Sequence, residues 1–178
     1  MSFLDLFKKK PQGPSINCRV WLNQVAKEKA CIRMAKTDHE LIFIAWSRLT
    51  FGVFQNVFSR LGLPSEVILA REVIPSRLEG KEFVFLERHY DRDKELNFLE
   101  SINANKVLVQ FSLEDPIMSA FNSDRVLKVM ESMGHQEDEP MEHKMINKSI
   151  ERGMDKVKDA SLTDDLPEVV KVWIDSMD

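Results

Sequence analysis

Leu41-Ile42-Phe43-Ile44-Ala45-Trp46 is a run of six apolar residues closed by Glu40 on one side and Ser47 on the other. A short apolar run without polar alternation is the pattern of a strand covered on both faces, as in parallel sheets. Ser47 is placed to cap a following helix, in which Phe54, Val57, Phe58 and Leu61 form one stripe before Gly62 ends it. Strand, turn and helix in that order is the repeating unit of α/β domains.

The same theme continues toward the C-terminus. Glu66 to Ala70 reads as a short strand, Glu82 to Arg88 as a second, Arg92 to Ile102 as a helix and Lys106 to Leu113 as a further strand. Four strands in a mostly parallel sheet flanked by helices follow. The link from Ala70 to Glu82, which contains Pro75 and Gly80, is the irregular one, since a parallel crossover ordinarily needs a dozen or more residues. Toward the N-terminus, Cys18, Trp21, Leu22, Val25, Ile32 and Ala35 recur at helical spacing and predict an amphipathic helix from Ile16 to Lys36.

After Asp115 the pattern becomes helical. Val126, Leu127, Met130 and Met133 share one face up to Gly134, and Gln136-Glu137-Asp138-Glu139-Pro140 reads as a charged turn. Ile146, Ile150, Met154 and Val157 make a second stripe, and Leu166, Val169, Val170, Trp173 and Met177 a final amphipathic helix. The predicted organisation is a flexible segment over 1–15, an α/β domain over 16–113 and a helical extension over 114–178 packed on the same domain.

Composition narrows the function classes. The 178 residues suffice for one domain with a core, and 43% hydrophobic with 30% charged residues is the balance of a globular chain. No apolar run is long enough to span a bilayer as a helix. Phe3, Leu4, Leu6 and Phe7 precede Lys8-Lys9-Lys10, the reverse of a secretory signal, so the expected location is the cytoplasm. The same cluster allows at most weak contact with an anionic membrane surface. Residues 1–90 carry a net charge of +5 and residues 91–178 one of −9. This acidic second half argues against nucleic acid as a ligand, because phosphate neutralisation needs clustered cations on one face. Cys18 and Cys31, thirteen residues apart, fit neither a metal knuckle nor a CxxC pair and read as buried thiols.

The polar identities of one long stretch go beyond what packing dictates. Phe111-Ser112-Leu113-Glu114-Asp115 runs through Phe121-Asn122-Ser123-Asp124-Arg125-Val126 to Glu142-His143-Lys144-Met145-Ile146-Asn147-Lys148-Ser149-Ile150-Glu151-Arg152. It resembles SecA, the ATPase motor family of bacterial preprotein export. In that family a core strand ends in Ser-Leu-Glu-Asp, a Gly/Asn-Ser-Asp-Arg helix follows, and a Glu-His-Lys-Met…Lys-Ser-Ile-Glu-Arg helix begins a long scaffold. Phe85-Leu86-Glu87-Arg88-His89 with Arg92 is similar to a family strand ending in Thr-Glu-Arg-His. The resemblance covers about Trp21 to Met154 and implies a reduced RecA-like second motor lobe followed by the start of the scaffold; the helix from Leu166 onward has no counterpart in it.

The departures from the family pattern bear on chemistry. No GxxxxGK[ST] occurs to cradle phosphates, and the first lobe that carries this loop in the family has no counterpart in the sequence. Asn103-Ala104-Asn105-Lys106 stands where the family places arginine-bearing segments that stabilise the transferring phosphoryl group. Loss of an arginine finger alone costs on the order of 10³ to 10⁵ in rate. The expectation is therefore a protein without its own ATP hydrolysis, with no catalytic residue, cofactor or metal assigned.

Local motifs receive the same comparison. Leu113-Glu114-Asp115 imitates a Walker B pair, but without a phosphate loop Asp115 reads as the N-cap of a helix that Pro116 opens. His39, His89, His135 and His143 lack metal-site spacing and read as surface or helix-end residues. Met130, Met133, Met141, Met145 and Met154 could line an adaptable peptide groove, although helical spacing favours core packing.

Two functional readings remain. One is a non-catalytic interaction or accessory protein whose partner is the export motor, a preprotein or another protein that recognises the ancestral surface. The other is a nucleotide-responsive or enzymatic module that uses Glu87, Arg88, His89 and Arg92, at the strand ends where open α/β sheets bind ligands.

Overall fold

The computed structural model describes residues 13–120, 139–163 and 166–177. The readings of the Phe3 to Lys10 cluster, of the Val126 to Met133 stripe and of His135 lie outside the described residues.

Five strands form one sheet: β1 (Ser15–Trp21), β2 (Ile42–Ala45), β3 (Val67–Leu69), β4 (Phe83–Phe85) and β5 (Lys106–Ser112), in the order β1-β5-β4-β2-β3. Every pairing between them is parallel, with Cys18 opposite Val109, Val84 opposite Leu108, and Ile44 opposite both Phe85 and Ile68. The fold class is thus α/β, with one more strand than sequence periodicity counted.

The extra strand comes from the predicted Ile16–Lys36 helix, which is two elements. Ile16, Cys18 and Val20 alternate with Asn17 and Arg19, and this period of two puts Cys18 and Val20 on the core face of β1. Asn23 then starts α1 (Gln24–Thr37) by accepting from the Ala26 N–H through its side chain. Trp21 and Leu22 happen to extend the helical stripe backward into the strand, which is why the two merged. Cys18 therefore lies on a strand and Cys31 on a helix, although both thiols are buried as expected.

The remaining elements are α2 (Arg48–Arg60), α3 (Pro75–Leu78), α4 (Arg92–Ser101), α5 (Lys144–Ser161) and α6 (Glu168–Asp175). Ser47 caps α2 by accepting from Thr50 N, and Gly62 follows the helix at φ 61, a conformation that glycine enters without a Cβ penalty. The short β3–β4 link closes as a parallel connection because only β2 lies between its ends, about two strand spacings of roughly 5 Å. A 3-10 turn (Ala70–Glu72) and the single turn of α3 bridge it, anchored by buried Leu78.

The sheet separates two apolar layers. On one face Phe43, Ala45, Val84 and Leu86 pack against Cys31 and Ala35 of α1 and against Phe54 and Phe58 of α2. On the other, Cys18, Val20, Ile44, Phe85, Val109 and Phe111 meet Leu99 of α4, Ile150, Met154 and Val157 of α5, and Val170 and Trp173 of α6. Burial of each large side chain contributes about 1.5 to 3 kcal/mol, so the C-terminal helices are held by the sheet's own core. Of the methionines proposed for a groove, Met141 and Met154 are core residues, Met145 is exposed, and Met130 and Met133 lie outside the described residues. Among the described residues no helix is long and apolar enough to cross a membrane.

Candidate functional site

In an open parallel sheet the strands' carboxyl ends face the starts of the following helices, and ligands bind in the crevice between them. Here that edge is built from Trp46-Ser47 after β2, Leu86 to His89 after β4, and Leu113 to Asp115 after β5. The start of α1, just after β1, adjoins it.

Glu87 occupies the centre, 1% exposed. Its Oε1 accepts from the backbone N–H groups of Trp46 at 3.0 Å and Ser47 at 2.7 Å, and from the Ser47 hydroxyl at 2.9 Å. Its Oε2 accepts from Thr50 Oγ1 and from Trp173 Nε1, each at 2.7 Å. The first free N–H of α2, that of Arg48, donates to the Ser176 carbonyl at 2.7 Å. The turn from β2 into α2, which offers its N–H groups and hydroxyls as an anion site would, is thereby filled by a carboxylate of β4's extension and a carbonyl at the end of α6. Burial pushes the Glu87 carboxyl above its ordinary range, against the opposing pull of the donors from Ser47, Trp173 and Thr50.

Arg88, the next residue along an extended chain, points elsewhere. Its Nε reaches Glu95 Oε1 at 2.8 Å, its Nη2 reaches Oε2 at 2.6 Å, and its Nη1 lies 3.4 Å from Cys18 Sγ. Both partners are almost wholly buried. Burial works against the guanidinium charge, but Glu95 beside it outweighs that penalty and the net shift is upward. This two-pronged geometry is the strong form of a charge-assisted bond.

His89 donates its backbone N–H to Glu95 Oε1 at 3.2 Å, while its Nδ1 takes the Asp91 N–H at 2.9 Å. Its ring stacks on Tyr90 and meets Trp46 edge-on, each at 4.9 Å between centroids. Arg92 opens α4 and lies 3.7 Å from Glu151 of α5. The four sequence candidates therefore do not converge on one point: Glu87 faces α2 and α6, Arg88 faces β1 and α4, His89 faces Trp46, and Arg92 faces α5.

Asp115 departs from the reading as a helix cap. Its Oδ1 takes Lys27 Nζ at 2.7 Å and its Oδ2 takes the Ser112 N–H at 2.9 Å; only its backbone carbonyl serves the following 3-10 turn, Pro116–Ala120, by accepting from Met118. A buried lysine draws the carboxylate inward, because an ammonium with 0% exposure requires a counter-charge. Desolvation nevertheless leaves the Asp115 carboxyl raised, with Lys27 opposing.

Several members of this edge escaped the sequence reading. Lys27 belongs to no motif, and its i−1 and i+3 neighbours Ala26 and Ala30, both buried, were the available signal. Glu95 sits one turn into α4 at the position that faces back to Arg88. Asp91 caps α4 and binds Lys158 of α5 at 2.9 Å, while Lys158 also reaches Asp93 at 2.6 Å. These pairings join elements far apart in sequence and left no local pattern. Among the described residues no group of three or more His, Cys, Asp or Glu is placed to hold a metal.

Comparison with known proteins agrees with the family resemblance. A protein translocase subunit SecA of Flavobacterium psychrophilum is 37% identical over 112 residues, 61% of this chain. That of Pelodictyon phaeoclathratiforme is 50% identical over 52 residues, and that of Chlorobium phaeovibrioides 54% identical over 48. The matched stretches cover 29% and 27% of this chain in the latter two. The chain spans only 5% to 10% of the length of these relatives. No family model matches the chain.

Proposed function

From the premise that this chain is a relative of the SecA translocase subunits over part of its length, we propose that it is a non-catalytic interaction or accessory module. It has a reduced RecA-like fold, works in the cytoplasm, and engages a protein of the preprotein export pathway, either the motor or a preprotein. It hydrolyses no ATP by itself and requires no cofactor.

One observation carries this reading. The position at the β2–α2 turn where a nucleotide phosphate would contact an open α/β sheet is taken by Glu87, which draws five donor groups from Trp46, Ser47, Thr50 and Trp173. A phosphate arriving there would meet a buried carboxylate instead of free donors. Its entry would require Trp173 of α6 to withdraw from the core and the Ser176 carbonyl just after the helix to move aside, at the cost of several kcal/mol for an aromatic of that size.

Two measurements test the proposal. Affinity capture of the full chain from its native cells should recover a component of the export pathway. Thermal melting with millimolar MgATP or MgADP should show no upward shift, whereas a ligand at about 100 times its Kd would add about 2.7 kcal/mol of stability. A clear nucleotide-dependent rise would favour the nucleotide-responsive reading. Failure to recover any export component, under conditions that preserve known export complexes, would sink the translocation link.

A further inference from the structure

On the face of the sheet that α1 and α2 cover, the described residues leave β1, β5 and the start of β4 partly open. A cavity of about 810 Å³ lies there, running along β5 from Gln110 to Lys106 and flanked by β1, β4 and the last turns of α1. The four residue steps from Lys106 to Gln110 correspond to a length of about 13 Å. The alternation of β1 explains the opening: Cys18 and Val20 point into the core, whereas Asn17 and Arg19 point into the trough.

The floor is apolar, made by Trp21, Met34 and Leu108, and the rim is cationic. Arg33, Lys81 and Lys106 stand exposed on it and form no ion pair among the described residues; Arg19 is paired with Glu142 at 2.6 Å. Asp38 and Glu82 also line the cavity; with Arg19 neutralised by Glu142, the three unpaired cations leave an excess of one positive charge on the lining of a molecule whose net charge is −4. The Asp38 carboxylate is partly engaged, accepting from the Glu40 N–H at 2.9 Å.

The distribution of polar groups selects the kind of occupant. Small metabolites are fixed by a few polar groups converging in a pocket interior. The buried amide here, Gln110, is already used, accepting from Trp21 Nε1 at 2.7 Å and lying 3.4 Å from Met34 Sδ. The available charges sit instead at the ends of long side chains spaced along the rim, where they suit a series of carboxylates carried on one backbone. We infer that this trough docks an acidic segment of a partner protein, with apolar side chains on Trp21, Met34 and Leu108 and carboxylates toward Arg33, Lys81 and Lys106. The inference rests on the reading of the chain as an interaction module and locates its contact surface.

The test uses a fluorescein-labelled 12-residue peptide of alternating Glu and Leu, with a Lys/Leu peptide, inorganic phosphate and MgATP as competitors. The acidic peptide should bind the full chain, shift the Trp21 indole resonance in a ¹H–¹⁵N spectrum, and weaken with added salt as the rim charges are screened. The Arg33→Glu/Lys106→Glu variant changes only exposed residues and should bind at least about tenfold more weakly, in line with a loss of 1.4 kcal/mol or more. A control variant, Lys148→Glu/Lys156→Glu on α5, should bind as the parent does. Equal affinity in the rim variant, equal binding of the Lys/Leu peptide, or displacement by phosphate or MgATP would each overturn the inference. Export components captured equally by the parent and the rim variant would also remove the trough while leaving the interaction reading intact.

Discussion

Trp173 donates its indole N–H to Glu87 Oε2 at 2.7 Å, joining α6 to the carboxyl edge of the sheet across 86 residues of sequence. The bond is buried at both ends, so its loss leaves a carboxylate oxygen short of a donor that water cannot replace. Trp173→Phe keeps most of the apolar contact and should cost about 1.5 to 3 kcal/mol, the range for a hydrogen bond to a charged group. Trp173→Ala removes the packing as well and should cost at least about 3 to 5 kcal/mol. Urea unfolding of the three proteins measures both steps. Equal stability of Trp173→Phe and the parent would show that the indole N–H contributes nothing.

The raised Glu87 carboxyl gives a pH dependence of definite sign. An acid whose folded pKa lies above its unfolded value binds a proton more readily in the folded state, so its contribution to stability grows as pH falls through the folded value and levels off below the unfolded one. Glu87→Gln removes this titration. The stability of the parent minus that of the variant should therefore rise on acidification from pH 8 toward the ordinary glutamate pKa of about 4.3. Urea midpoints of both proteins across that range provide the measurement; a flat or falling difference contradicts the upward shift.

The Lys27–Asp115 pair predicts a strong asymmetry between single and double substitution. Lys27→Met strands Asp115, 5% exposed, with only the Ser112 N–H, and should cost about 3 to 5 kcal/mol. Asp115→Asn added to Lys27→Met removes the uncompensated charge and should recover a large part of that loss. A double variant as unstable as the sum of the singles would show that the two side chains act independently.

Both thiols should be inert in the folded protein. Burial pushes Cys31 up to about 12 and also raises Cys18, so neither presents a thiolate near neutral pH. An aromatic disulfide reagent should titrate no thiol in native buffer at pH 7.5 and two in denaturant. Rapid native reaction of either cysteine would contradict its burial at 0% exposure.

The sheet was legible where each element carried a single period. Leu41 to Trp46 announced a doubly covered strand, and Ser47 and Gly62 marked the helix ends that the structure shows. Reading failed where two periods overlapped: Cys18 and Trp21 are three apart and satisfy a helix stripe as well as a strand that ends at Trp21. It failed again at the carboxyl edge, for a different reason. Asp115 before Pro116 obeys every local rule for a helix cap, yet a lysine 88 positions away determines where its carboxylate goes. Glu87 drew notice through the family motif, but its donors come from β2, α2 and α6, and no spacing within the sequence reveals that convergence.

Two glycines associated with α2 make opposite predictions from the same helix. Gly52 lies within α2 and is exposed, with nothing within 4 Å of the place a Cβ would take. Gly52→Ala should therefore stabilise the protein by about 0.5 to 1 kcal/mol, through better helix propensity and a less flexible unfolded chain. Gly62 also has open space around it but sits at φ 61, where an added Cβ meets the following carbonyl of its own backbone. Gly62→Ala should destabilise by about 1 to 2 kcal/mol although no neighbour is touched. Thermal melts of the two variants beside the parent check both signs, and a stabilising Gly62→Ala would mean that α2 does not end in the left-handed conformation described.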